Sequence, residues 1–293
     1  MPLKKRRRGA CGRAKATGEG TGLNAGIKAL ADRPGMSRQN FYRKHAAGRR
    51  EQTDADLVEQ LVKAERALQP GLGGRKPLKI LAPVLENGGV RPGRDRFFDV
   101  LRRKGLLVPP LPKSPGTTGF EPCLPVFRKA GLEMTGPNRA WAADIMSTDE
   151  GFLYLSLITD MWSRKIVGFH AADSLETEGA LAALDMALSS LKGGARPVHH
   201  CDRGCQYASR LYVGRLKEAG LRISMTEELH CYENAMAERV NGILKQEYGI
   251  GCRFRNKRQA REAVRQAVYL YNTRRPHMSL GYRTPAKRHG DAA

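Results

Sequence analysis

Three acidic residues occupy positions where they could do chemistry, in a chain that is otherwise strongly basic. Asp144 lies in the short apolar stretch AWAADIM, Asp202 comes two residues before a glycine in Asp-Arg-Gly, and Glu238 lies in NAMAERVNGILKQE. Carboxylate oxygens drawn from separate elements suit Mg²⁺. Two such ions about 3.5–4 Å apart can stabilise the attacking and leaving oxygens of an in-line phosphoryl displacement. The three residues therefore predict a site for metal-assisted phosphoryl transfer.

The stretch around Asp202, HHCDRGCQYAS, also contains softer side chains that could bind zinc. The cysteines do not have Cys-x2-Cys spacing, which argues against a structural zinc site. Neighbouring residues of a strand point to opposite faces, so His199 and Cys201 cannot easily join His200. The pattern therefore favours Asp202 as the functional residue. A zinc site would draw on His199, His200, Cys201, Cys205, His230 and Cys231.

The segment that carries Glu238 is an amphipathic helix. Apolar residues recur at i, i+4, i+7 and i+8, which predicts a stripe that faces the core. The other side can then face a cleft, and a lysine two turns beyond Glu238 could reach a phosphate there. The apolar stripe is Met236, Val240, Ile243 and Leu244, and the opposite side carries Glu238, Asn241 and Lys245.

The order of elements around the three acids predicts an α/β, ribonuclease-H-like catalytic core. Strands are predicted at 140–146, 152–159 and 165–170, as an antiparallel meander. A helix at 175–191 follows, then a strand at 197–201, a helix at 209–219, a strand at 221–225 and a helix at 234–247. This order corresponds to a mixed five-stranded sheet with flanking helices.

The composition indicates a polyanionic partner. The 293 residues include 51 Lys and Arg against 29 Asp and Glu, for a formal net charge of +22. Such a balance is typical of nucleic-acid-binding proteins, and a ribosomal protein or a chromatin binder would share it. No apolar run approaches the ~20 residues that span a bilayer, and the N-terminus lacks the apolar centre of a signal peptide. Six cysteines without a disulfide framework favour a reducing, cytoplasmic location.

The region before the core is predicted to be helical and basic. We expect small all-α, helix-turn-helix-like DNA-binding modules there, since Ser37 is a suitable N-cap for a helix rich in polar and basic side chains. The alternative is a basic helical hairpin without specific DNA recognition. The residues predicted to contact DNA are Arg38, Gln39, Asn40, Arg43 and Lys44. The expected organisation is a basic arm at 1–22, the helix-turn-helix-like region at 23–70, a second basic helical module at 71–107, a linker at 108–135, the core at 136–250 and a C-terminal helix with a basic tail at 251–293.

Some residues near the core admit two interpretations. Arg274, Arg275 and His277 in YNTRRPH could bind phosphate, or the segment could be a structural clasp in which Tyr271 and Pro276 pack on the core. Gln206 and Tyr207 could hold the Asp-Arg-Gly turn or contact DNA. His200 could steady the site or pack beside its strand.

Four sequence blocks resemble the DDE transposases and retroviral integrases, and most closely the insertion-sequence-three family. They are NRAWAADIM, HHCDRGCQY, NAMAERVNGILKQE and YNTRRPHMSLGYRTP, and 35 residues separate Asp202 from Glu238. Cys201 and Cys205 depart from the family pattern, which more often has serine there. The resemblance covers about 138–285.

The resemblance implies a metal-binding catalytic triad of Asp144, Asp202 and Glu238, with two Mg²⁺ ions for which Mn²⁺ may substitute. It further implies 3′-end nicking of element DNA, followed by attack of the freed 3′-OH on another phosphodiester. The implied partners are double-stranded DNA, as terminal repeats and target, a homo-oligomer assembled on DNA, and an upstream-frame partner or fusion. The implied location is the bacterial cytoplasm, in association with the nucleoid.

Two other functions fit the same elements. A structure-specific nuclease of this fold would use the same triad with water as its only nucleophile. A non-catalytic DNA-binding regulator would retain the fold without the chemistry.

Overall fold

The computed structural model describes residues 37–109, 133–148, 153–191, 194–225 and 235–291. The predicted arm, the first predicted helix of the helix-turn-helix-like region and most of the predicted linker lie outside the described residues, as do His230 and Cys231. The chain divides into two compact units, Met1–Gln60 and Leu61–Ala293. Within the described ranges, no helix is long and apolar enough to cross a membrane.

The first described element is a single long helix, α1, at Arg38–Leu68. Ser37 caps it as the sequence predicts, since its Oγ accepts a hydrogen bond from the Asn40 N–H at 3.3 Å. The spacing of Leu57, Leu61, Ala64 and Leu68 predicts a separate helix from Asp54 to Leu68. This prediction is wrong in one respect, because α1 continues without a break from Lys44 into that stretch. Apart from Gly48, which costs about 1 kcal/mol relative to alanine, most residues between Lys44 and Asp54 are good helix formers.

Two shorter helices form the predicted second basic module. Helix α2 is Arg75–Asn87 and helix α3 is Arg94–Arg103. Each has one apolar side that is buried and one charged side that faces solvent. The buried residues are Pro77, Leu81 and Leu85 of α2, and Phe97, Val100 and Leu101 of α3.

A five-stranded mixed sheet forms the centre of the second unit, in the order β3-β2-β1-β4-β5. Strand β1 pairs antiparallel with β2 and parallel with β4, while β2–β3 is antiparallel and β4–β5 is parallel. The strands are β1 Ala140–Ser147, β2 Tyr154–Asp160, β3 Ile166–Ala172, β4 Val198–Cys201 and β5 Arg222–Met225. The sequence predicts each of these strands to within two residues at either end.

Helices cover both faces of the sheet, because successive strand residues point to opposite sides. On one face, Trp141 and Ala143 of β1 belong to a core that includes residues of α4, Thr177–Ser189, and α5, Arg210–Glu218. The close approach of α4 to β3 requires Gly168, where a Cβ would lie 2.1 Å from the Ala183 carbonyl oxygen.

The other face of the sheet is covered by α6, Ala235–Glu247, and α7, Lys257–Thr273. Met146 of β1 and Leu157 of β2 share a core with Leu244 of α6 and Val268 of α7. The C-terminal helix is therefore part of the layer that holds Glu238. A 3₁₀ turn, Met278–Leu280, and helix α8, Pro285–Gly290, complete the described chain.

Candidate active site

The sheet places Asp144, within the central strand β1, beside Asp202, which follows the end of β4. In the parallel pair β1–β4, Ala142 lies opposite His200, and β4 ends at Cys201. The same register continued by two residues places Asp144 level with Asp202. Asp144 points to the face covered by α6, because it alternates with Ala143, whose side chain lies in the core of the opposite face.

A glycine turn holds Asp202. The Gly204 N–H donates a hydrogen bond to Asp202 Oδ1 at 3.0 Å, and a Cβ at position 204 would lie 3.0 Å from that same oxygen. Gln206 is buried and donates from Nε2 to the Leu175 carbonyl at 2.8 Å. Tyr207 is also buried, in edge contact with Tyr212. Gln206 and Tyr207 are thus placed to support the turn from the interior.

Glu238 lies in the first turn of α6 and is exposed. Helix α6 packs against β1, with Val240 and Leu244 buried as the apolar stripe predicts. One turn beyond Glu238, Asn241 donates from Nδ2 to Asp144 Oδ2 at 2.7 Å. Asn241 is buried, although the sequence pattern placed it on the polar side of the helix with no role of its own. Residues three apart lie on the same side of a helix, so the position of Asn241 three residues after Glu238 could have indicated that it faces the same site.

The surroundings of Asp144 disfavour its ionised form. Its pKa is raised to about 7, mainly by burial and also by the negative charges of Asp202 and Glu238, while the hydrogen bonds from Ile145 and Asn241 act in the opposite direction. The pKa of Glu238 is also raised, by burial and then by Asp202. None of the three forms an ion pair with another described residue. The carboxylates therefore repel one another without an ion-pair partner among the described residues.

The donor set suits a divalent cation in kind, since it consists of hard carboxylate oxygens from three elements. Within the described residues, no three His, Cys, Asp or Glu side chains converge closely enough to hold a metal ion by themselves. Mg²⁺ usually keeps several waters and takes only one or two protein carboxylates, so the arrangement fits such an ion with water completing its ligands.

The histidines and cysteines beside Asp202 have structural contacts. His199 is buried with Nε2 2.9 Å from the Tyr212 hydroxyl, and His200 Nδ1 lies 3.0 Å from Ser224 Oγ. Burial lowers the pKa of His199 to about 3 and raises that of the Cys201 thiol to about 12. This arrangement does not favour the zinc alternative.

The C-terminal segment adopts the structural clasp rather than a phosphate site. Arg275 is buried and donates from Nε and Nη2 to both oxygens of Glu247, at 2.7 and 2.8 Å. His277 is buried in edge contact with Tyr271, and burial with nearby cations lowers its pKa to about 2. The structure thus corrects the expectation that Arg275 and His277 contact DNA, because neither presents a charge to solvent.

Arg274 is partly exposed but already engaged, since its guanidinium donates to both oxygens of buried Glu65. Lys245 is exposed on α6. Gln39, Arg43 and Lys44 are exposed on α1, and Arg43 donates to Asn40 Oδ1 at 3.3 Å. The side chain of Arg38 lies outside the described part. DNA contact by these residues stays a prediction.

Two family profiles, both described as integrase core domain, match residues 134–231 and 219–285. The insertion element IS600 uncharacterized 31 kDa protein of Shigella sonnei is 32% identical over 260 residues, which cover 86% of this chain and 94% of that protein. The transposase for insertion sequence element IS629 of Shigella sonnei is 39% identical over 153 residues, 52% of this chain and 51% of that protein. Transposase InsF for insertion sequence IS3A of Escherichia coli strain K12 is 35% identical over 184 residues, 58% and 60% of the two chains.

Among solved structures, the HTLV-2 integrase catalytic core domain in complex with magnesium is 17% identical with a TM-score of 0.43, over 53% of this chain and 98% of that chain. The BIV integrase catalytic core is 13% identical with a TM-score of 0.42, over 53% and 95%. The strand order and the integrase core match together confirm the predicted ribonuclease-H-like fold.

The alignment with the IS600 protein spans nearly the whole of both chains, whereas those with the named transposases span about half to three fifths of each. The integrase core profiles include all three carboxylates and the C-terminal clasp. The chain belongs to the insertion-sequence-three family of DDE transposases.

Proposed function

We propose that this protein binds the ends of an insertion sequence, nicks the DNA at their 3′ ends and joins the freed ends to target DNA. The observation that carries the proposal is the placement of Asp144 on β1 level with Asp202, which directly follows the neighbouring parallel strand β4, beside the helix that carries Glu238. Transposases and integrases act on DNA, and the integrase core depends on a divalent metal. A net charge of +22 supports a DNA substrate.

Asp144, Asp202 and Glu238 would hold two Mg²⁺ ions, with Mn²⁺ as a substitute. When bound, such ions neutralise the charge that develops on the attacking and leaving oxygens of phosphoryl transfer. The raised pKa of Asp144 supports this assignment, because a nearby cation would return the buried carboxylate to its ionised form.

The other residues of the site would position these carboxylates. Asn241 orients Asp144 through its amide, and the Gly204 N–H fixes one oxygen of Asp202. In the nicking step, a water oxygen bonds to phosphorus, and the 3′ oxygen of the element leaves and takes up a proton. In the joining step, that 3′-OH bonds to a target phosphorus, loses its proton, and displaces the target's own 3′ oxygen.

DNA recognition is assigned to the N-terminal helical region. Gln39, Arg43 and Lys44 lie on the exposed side of α1, where they could reach a DNA groove with Arg38 and Asn40. Lys245, two turns from Glu238, would contact a phosphate near the site. Because transposition joins two ends, we infer a homo-oligomer on DNA, and an upstream-frame partner or fusion could supply further DNA binding.

A strand-transfer assay tests this function. Purified protein is incubated with Mg²⁺, labelled duplexes that carry the element's ends, and plasmid target. Both nicked ends and joined products are expected, and chelation of the metal should abolish both. Nicks without joined products under any condition would instead support a nuclease, and DNA binding without either product would support a regulator.

A further inference from the structure

A second group of cations lies between the catalytic helix and the start of α7. Between 245 and 266 the chain has seven Lys and Arg residues but only two acids. One of those acids, Glu247, is already occupied by Arg275 and Lys76. Five exposed cations at the start of this region are called the basic strip: Lys245, Arg253, Arg255, Lys257 and Arg258.

The loop that carries two of these arginines is held in place by a phenylalanine. Phe254 packs against the core formed by α6, α7 and the sheet, while Arg253 and Arg255 on either side of it are exposed. The Arg255 N–H donates to Gln259 Oε1 at 3.0 Å, and Asn256 caps α7 by accepting from the Gln259 N–H at 2.9 Å. The two arginines are therefore presented from an anchored loop.

The basic strip is continuous with the candidate active site. Lys245 lies seven residues after Glu238 on α6, which is two turns and a rise of about 10 Å along one side of the helix. The loop then returns beside Lys245, since a Cβ built on Gly251 would lie 3.7 Å from Lys245 Cβ. The strip thus begins near the carboxylates and runs away from them.

Several of these charges are available for a ligand. Arg255 and Arg258 form no ion pair with any residue in the described ranges. Lys257 pairs with Asp173 at 2.9 Å, an acid that Arg261 also contacts at 2.7 Å, so one carboxylate serves two cations. The N-terminal end of the 17-residue helix α7, which begins at Lys257, adds a partial positive charge beside these side chains.

We propose that the basic strip binds the phosphodiester backbone of the double-stranded DNA that leads away from the cleavage site. This rests on the proposed function, which places a phosphodiester at the carboxylates. Duplex DNA carries one negative charge per about 1.7 Å of its axis, so it suits a row of cations more closely than a small anion does. The strip would hold the duplex in register without reading its sequence.

The test compares two double variants of the full chain. Arg255→Gln with Arg258→Gln removes two charges from the strip. Lys217→Gln with Arg222→Gln removes two exposed charges elsewhere, since Arg222 lies level with Val198 at the end of β4 away from Asp202. Binding to a mixed-sequence duplex is measured by fluorescence anisotropy over a series of KCl concentrations, with chelator present to prevent cleavage. Thermal melting confirms that both variants fold.

For the strip variant, binding should weaken and the plot of log affinity against log salt should become shallower by about 2, as for two lost phosphate contacts. The control variant should keep the wild-type slope.

Equal slopes for the strip variant and wild type would overturn the proposal, and so would equal losses in both double variants. If wild type joins no DNA ends, the proposed function fails, yet the salt slopes still decide whether the strip binds DNA. If wild type joins ends and the strip variant keeps the wild-type slope, only the strip proposal is wrong.

Discussion

Asn241 Nδ2 lies 2.7 Å from Asp144 Oδ2 and donates a hydrogen bond to it. The contact joins the helix that carries Glu238 to the strand that carries Asp144. It favours the ionised form of a carboxylate that burial otherwise drives towards protonation. Asn241 therefore helps to set the distance between Asp144 and Glu238.

Replacing Asn241 by leucine should reduce nicking at neutral pH by roughly ten- to a hundredfold, since second-sphere contacts to metal ligands have effects of this size. The pKa of Asp144 would rise further without its donor, so part of the activity should return at higher pH. The pH profile of nicking measures this. Gln246→Leu, an exposed amide on the same helix, should leave the profile unchanged. An unshifted profile in Asn241→Leu would show that the contact does not tune Asp144.

Asp144→Asn should stabilise the metal-free protein at pH 8. The pKa of Asp144 is raised from 3.8 to about 7 by burial and neighbouring acids, so the folded state holds a proton that the unfolded chain has already lost. The carboxylate's contribution is therefore intact below about pH 4 and is lost as pH rises through 7. The gain on substitution could reach about 4 kcal/mol, because each pKa unit corresponds to about 1.4 kcal/mol.

Urea denaturation of both proteins with chelator at pH 4 and pH 8 measures this difference. The two proteins should have similar free energies of unfolding at pH 4 and diverge at pH 8. Added Mg²⁺ should narrow the gap at pH 8 by stabilising the wild type. A gap that is the same at both pH values would contradict the account of Asp144.

Gly204→Ala should impair catalysis more than stability. The new Cβ would lie 3.0 Å from Asp202 Oδ1 and 3.3 Å from Gln206 Oε1, so the carboxylate must give by a few tenths of an ångström. Because misplacement by about 1 Å can cost about a hundredfold in rate, this smaller shift should lower strand transfer by roughly tenfold or less. Strand transfer and thermal melting are measured together, with Gly214→Ala as control because a Cβ there meets nothing within 4 Å. Full activity in Gly204→Ala would mean that the turn does not fix Asp202.

Glu247→Leu should destabilise the second unit by about 3–5 kcal/mol, because it leaves the buried Arg275 without a counter-charge. Burial alone would raise the pKa of Glu247, but Arg275 and Lys76 hold it below its usual range. Its contribution is therefore present above pH 4.5 and lost as pH falls further. Denaturation at neutral pH measures the cost. Glu218→Leu, with a side chain 73% exposed, should cost at most about 1 kcal/mol.

Local sequence patterns predicted the sheet and the catalytic helix well. Most strands are short, largely apolar runs, and Val240, Ile243 and Leu244 mark the core side of α6. The order of these elements was enough to predict the ribonuclease-H-like fold. Local patterns predict these elements because the side to which a side chain points depends only on the strand or helix that carries it.

The errors arose where distant residues decide the structure. Glu247 meets Lys76, 171 positions earlier, and Arg274 meets Glu65, 209 positions earlier. No local pattern distinguishes an arginine paired in the interior from one that faces DNA. Asn241 was likewise placed with the polar residues of its helix, because its burial depends on contact with Asp144.

The most direct measurement of the central claim is strand transfer by Asp202→Asn, with Mg²⁺ and labelled DNA ends. Asp185→Asn, an exposed surface aspartate, is the matched control. The account predicts that Asp202→Asn binds DNA with wild-type affinity but neither nicks nor joins it, while Asp185→Asn does both. If Asp202→Asn still joins ends at the wild-type rate, Asp202 is not a catalytic ligand and the account of this site is wrong.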